Sequence, residues 1–237
     1  MREHHSPKRL ARPWLLAAGL ALAAGPAAAL ATTLLPCASQ PIEVEGDAAH
    51  AQEVCAAGLT TLARLAELGL APARTIRIVL VDAGILHGGD LAFGKYDGAS
   101  DRLELMSPAA IASQQPPPQL FGQPMDGPMY VGLVAHELTH AVAAQAKRSD
   151  RLGSPAQEYL AYAVQLASLP AALRETIVAA AKVAAWEPGD EVSLVYLGLD
   201  VHRFAVKSYL HLYHHPDRPA ALAAVLASRG NRTFSAP

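Results

Sequence analysis

The segment Val134-Ala135-His136-Glu137-Leu138-Thr139-His140 constrains this chain more than any other. It sits in an apolar run that favours helix. A helix stacks residues four apart on one face, with Cβ atoms about 5–6 Å from each other. His136 and His140 can therefore grip a single metal ion, and Glu137 lies beside them as a candidate general base. Zinc accepts neutral imidazole nitrogen and carboxylate oxygen, and a catalytic site needs three protein ligands and one open position for water. The carboxylate that follows the first histidine is too short to share the metal from that face. It can take a proton from water and return it to a leaving amine.

The third ligand decides the class. A third histidine six residues after His140 would fall at position 146, which is Ala146, and the glycine that such a pattern wants at 143 is Ala143. Glu158 is the candidate instead. It lies in the first turn of the next expected helix, where an antiparallel return would bring it back to the His136/His140 face. A capping or solvated glutamate is the other reading of that residue, and Asp150, in the turn itself, is a fallback ligand. Tyr162, one turn beyond Glu158, could orient a ligand or hold an oxyanion through its hydroxyl, or simply pack as a core tyrosine.

The run from Val134 to Val142 resembles the zinc helix of thermolysin-like gluzincin metallopeptidases. The resemblance covers that helix and Glu158, a small part of the chain. It implies zinc bound by His136, His140 and Glu158, Glu137 as general base, and a zincin-like fold acting on a peptide or protein. The family places an aspartate four residues after its ligand glutamate to orient a zinc histidine; here that position is Tyr162. No match to the family's large C-terminal helical domain is visible. By analogy with zincins, a sheet edge above the helix would take the substrate as an added strand, and Arg102 to Met106, the strand nearest before the helix, is the expected edge. The alternative is a non-catalytic zinc-binding or scaffold protein on the same fold.

The N-terminus describes the compartment. Arg2, Lys8, Arg9 and Arg12 precede an Ala/Leu-rich stretch from Trp14 to Leu30 that ends in A-x-A-like sites. Those are the three parts of a secretory signal peptide over residues 1–31, leaving 32–237 as a single domain, periplasmic or secreted. An uncleaved membrane anchor is the other reading, since Trp14 to Leu35 is long enough to span a bilayer. Removing residues 1–31 takes away four basic residues and Glu3, so 15 basic face 20 acidic residues in the remainder. No basic patch argues for nucleic acid. Cys37 and Cys55 are the two cysteines, and export makes one disulfide the expectation; a zinc or redox pair is the weaker reading, without CxxC or a neighbouring histidine.

The pattern along the chain predicts an α+β fold, a small sheet with a hairpin followed by a mostly helical C-terminal half. Strands are expected at 41–46 and 75–81, and a hairpin pairs 91–96 with 102–106. A helix capped by Asp47 runs to Leu68 and stops at Gly69. The Pro-rich stretch 113–128 reads as extended surface loop, a spacer or a rim of the site. Helices follow from Pro128 to Lys147-Arg148, from Ser154, and after Pro170 to Trp186; Glu187-Pro188-Gly189-Asp190 breaks the last of these, a long helix follows to Tyr213, and a short one comes after Pro219. The C-terminal His202, Tyr209, His211, Tyr213, His214 and His215 form a cluster in which His211 and His215 could pair on a metal. Alternatively, they decorate a helix end, where the dipole favours histidine.

Overall fold

The computed structural model describes residues 33–38, 40–87, 90–146, 154–187 and 189–227. The expected leader at 1–31, the expected helix end at Lys147-Arg148, and the expected 150–153 turn with Asp150 lie outside the described residues. The fold is α+β, with a five-stranded mixed sheet and eight helices among those residues. Strand β1 (Thr33–Pro36) pairs antiparallel with β2 (Ile42–Gly46), and β2 runs parallel to β3 (Ile76–Val81). Parallel neighbours need a crossover, and helix α1 (Ala48–Glu67) supplies it. Asp47 caps α1 through Ala49 and His50 N–H, and Gly69, at φ +72, lets the chain turn out after it.

After β3 come a small hairpin of β4 (Ile85–His87) and β5 (Asp90–Ala92), then β6 (Gly94–Asp97) and β7 (Arg102–Met106). β7 inserts parallel to β3 and antiparallel to β6, which gives the order β1-β2-β3-β7-β6. Arg102–Met106 is therefore an interior strand, correcting its expected place at the edge; Gly94–Asp97 is the edge. The cause is the pairing of Ile78 with Leu103 and Leu80 with Leu105, which uses the free side of β7. Ile42, Ile76, Ile78, Leu103 and Leu105 form one fully buried face of the sheet, and each such side chain contributes about 1.5–3 kcal/mol by leaving water. The Cys37–Cys55 disulfide ties the end of β1 to α1.

Ser107 caps a short helix α2 (Pro108–Ala112), and β8 (Gln119–Leu120) and β9 (Gln123–Pro124) make a two-residue hairpin. The Pro-rich stretch is thus no bare surface spacer. Its Phe121 is buried against Tyr162 and His202. Helix α3 (Gly127–Gln145) starts at the Asp126 cap with Pro128 in its first turn. It is buried on nearly every side, between α1, the sheet and α4 (Ser154–Ser168). Tyr130 Oη donates to the Met106 carbonyl at 3.0 Å and fastens α3 to β7. Helix α5 (Ala171–Ala181) ends five residues short of Trp186, because Lys182 adopts a left-handed conformation. The long helix expected up to Tyr213 is two, α6 (Leu194–Leu199) and α7 (Val201–Tyr213), divided at Asp200, which caps α7 through Arg203 N–H. Helix α8 (Arg218–Ala227) closes the described chain. Among the described residues no helix is long and apolar enough to cross a membrane.

Candidate metal centre

Helices α3 and α4 return antiparallel, and residue size sets how closely they approach. Gly132, His136 and His140 lie along one face of α3 at intervals of four. A Cβ on Gly132 would come within 2.8 Å of Leu169 and 3.2 Å of Gln165, both at the far end of α4 or just beyond it. Closing the helices there brings Glu158, at the start of α4, opposite His140. His136 Nε2 lies 3.2 Å from His140 Nε2; the Glu158 carboxylate is 3.6 Å from the first and 3.5 Å from the second. The three side chains are the one group of metal-capable donors among the described residues, with all donor atoms within 4.8 Å of each other.

The donor set suits a metal ion. Around a tetrahedral ion with donors at 2.0–2.1 Å, neighbouring donor atoms stand roughly 3.3–3.4 Å apart; the two Nε2 atoms, 3.2 Å apart, match that spacing, and Glu158 turns a different oxygen to each ring, Oε2 to His136 and Oε1 to His140. Burial depresses His136 well below the ordinary histidine range, the nearby His140 adding to the effect, and lowers His140 to about 4. Both rings are thus neutral and can offer lone pairs. Burial also raises Glu158 to about 7 and, helped by the Glu158 charge, Glu137 to about 8. Among the described residues no lysine or arginine forms a salt bridge with either carboxyl, although Lys95 lines the same cavity, and a bound cation would reverse that logic and favour the carboxylates.

Glu137 points to the sheet. Its carboxyl packs against Gly94 of β6 so closely that a Cβ on that glycine would be 2.5 Å from Glu137 Cδ. Met106 N–H donates to the Phe93 carbonyl at 2.8 Å. In an antiparallel ladder that bonding alternates, so Lys95 and Asp97 bond to β7 while Gly94 and Tyr96 turn their backbone groups to the open edge. A cavity of about 360 Å³ lies along this edge, bounded by Ala92, Gly94, Tyr96, Glu137, Gln157 and the three donors. Tyr96 Oη donates to Asp101, which also accepts from Arg74 and from Gln145 of α3, so the edge strand is anchored to the helix that carries His136 and His140.

Sequence reasoning placed His136, Glu137, His140 and Glu158, and the fold gathers all four. Tyr162 is also adjacent, but its ring packs edge-on to His136 at 4.5 Å and to Phe204 rather than lining the cavity. The residue that reaches His136 Nδ1 is Gln165, whose Oε1 lies 3.1 Å away. It was missed, although it stands two helical turns after Glu158 on the same face. Gly94 also carried no signal beyond its place in a hairpin. The C-terminal cluster is spent elsewhere: His211 Nδ1 bonds Tyr159 Oη, His202 Nε2 bonds the Ile177 carbonyl, and His215 accepts from Asp217 N–H.

No curated protein and no solved structure matches the chain. Residues 42–236, a span that contains every residue of the site, match the model of a family of unknown function, DUF6639, and the chain belongs to that family.

Proposed function

We propose that this is an exported, zinc-dependent metallopeptidase with a zincin-like fold, in which His136, His140 and Glu158 hold the metal. The observation that carries the reading is the convergence of those three donors within 4.8 Å of one another, with Glu137 adjacent and facing an open sheet edge. Zinc bound there supplies a Lewis acid that acidifies water to a pKa of about 7 and polarises a carbonyl. Glu137, on the helix that carries both histidines, accepts a proton at its carboxylate and passes it to the leaving amine nitrogen. The outward backbone groups of Gly94 and Tyr96 give an extended peptide a strand to pair with, through main-chain bonds that tolerate many side chains. Three protein donors leave a position for water, as a catalytic site requires. Export is supported by the leader-like N-terminus and by the Cys37–Cys55 disulfide.

Zinc stoichiometry and hydrolysis of a mixed fluorogenic peptide library, measured on wild type and Glu137→Gln, test the reading. One zinc per chain with activity lost in the variant is the expected result. A chain that binds no zinc, or a variant as active as wild type, overturns it.

A further inference from the structure

We infer that Gln165 is the positioning residue that fixes the His136 imidazole for metal binding. The inference rests on the metal site proposed above and adds a role for a residue outside the ligand set. A side-chain carbonyl oxygen can only accept a hydrogen bond. Gln165 Oε1, 3.1 Å from His136 Nδ1, therefore selects the tautomer with its proton on Nδ1. That leaves the lone pair on Nε2, the atom that faces His140 and Glu158. With the amide reversed, the proton would move to Nε2 and the ligating lone pair would be lost.

Three further observations support the assignment. Gln165 is 1 % exposed, on an apolar stretch where Leu166 and Leu169 are equally buried. Its Nε2 is buried without a hydrogen-bond partner. An unpaired interior N–H is costly, so the side chain is kept for its oxygen, since a leucine would pack there without that cost. Lastly, the close packing at Gly132 shows how it reaches: a Cβ one turn before His136 would meet Leu169 at 2.8 Å and Gln165 Cγ at 3.2 Å, so the glycine lets this end of α4 come close to α3. Tyr162 packs on the same ring in an edge arrangement, with centroids 4.5 Å apart, so the imidazole has a second fixed neighbour besides Gln165. A neutral amide also leaves His136 a weaker base than a carboxylate partner would make it, and so leaves more positive charge on the ion.

The test uses the full chain as wild type, Gln165→Leu and Gln165→Glu. Zinc affinity is read by competition with a chromogenic chelator, and the His136 tautomer by imidazole ¹⁵N shifts of the zinc-loaded wild type. Loss of an outer-shell partner costs about 10–100-fold in affinity, so Gln165→Leu weakens zinc by that factor with an unchanged near-UV circular dichroism spectrum. Gln165→Glu, which keeps the acceptor, binds at least as tightly as wild type, and His136 shows a protonated Nδ1 with Nε2 on the metal. Wild-type affinity in Gln165→Leu, affinity in Gln165→Glu as weak as in the leucine variant, or ligation through Nδ1 overturns the assignment. If Gln165→Leu does not fold, the wild-type ¹⁵N spectrum decides. A wild type that binds no zinc sinks the proposed function together with this role; a wild type that binds zinc beside an unaffected leucine variant sinks this role alone.

Discussion

Replacing Gly94 with alanine asks whether the edge strand and Glu137 form one device. The added Cβ would meet Glu137 Cδ at 2.5 Å, Cγ at 2.6 Å and Oε2 at 2.8 Å, where ordinary contact begins at 3.4 Å. Gly94 does not occupy the left-handed region that penalises side chains, so the effect is steric and not a backbone effect. The obstacle is the end of a flexible side chain, so the strand stays and the carboxyl swings away by about 1 Å. A misplacement of about 1 Å at a reacting group can cost on the order of 100-fold in rate. The expected outcome for Gly94→Ala is therefore a kcat/KM about 100-fold lower on the peptide library, with zinc stoichiometry unchanged and Tm within a few degrees of wild type. Activity within twofold of wild type would refute the idea that Glu137 works from the position this glycine allows. A loss of activity that tracks a loss of folded protein would refute it equally, by showing the glycine to be structural.

Other perturbations bear on separate parts of the molecule. Zinc held at about 1,000 times its Kd stabilises the native state by about 4 kcal/mol, so chelation should lower the thermal midpoint and added zinc restore it; a midpoint indifferent to chelator argues against a metal bound only by the folded chain. The hydrogen bond from Arg74, then that from Tyr96, holds the Asp101 carboxyl below the usual range. Because the folded value is depressed, that stabilisation is complete above the unfolded value of about 3.9 and is lost as the pH falls below it. Asp101→Asn should accordingly flatten the acid side of a urea-stability profile between pH 5 and about 2, and a profile parallel to wild type would disprove the linkage. The disulfide closes a loop with a sequence separation of 18, which on chain-entropy grounds is worth about 3 kcal/mol; urea unfolding of Cys37→Ser/Cys55→Ser should show that loss, and wild-type stability in reductant would contradict it.

The parts of the site that could be read from the chain are those whose spacing encodes both geometry and chemistry. His136 and His140 share a face because a helix has its period, whatever packs beside it. Glu158 could be foreseen because a short connection forces neighbouring helices to return antiparallel. The hairpin of β6 and β7 was legible too, but which strand lies at the edge was not. That depends on β3, more than twenty residues upstream, taking the free side of β7 through Ile78–Leu103, and no local pattern distinguishes two half-buried strands before that pairing is known. Tyr162 and Gln165 exchange their expected importance for a related reason. The helical period places both near the His136 face, and only the α3–α4 separation, set by Gly132, determines which side chain meets the imidazole nitrogen and which its flat side. Gly94 and Gly132 are therefore the informative silences: neither has a group that does chemistry, yet one sets where the Glu137 carboxyl can rest and the other how near the Glu158 helix can come. In the function proposed above, His136, His140 and Glu158 specify what the site can bind. The two close glycine contacts specify whether Glu137 and those donors stand where the proposed hydrolysis needs them, and they do so through distances that exist only after the chain has folded.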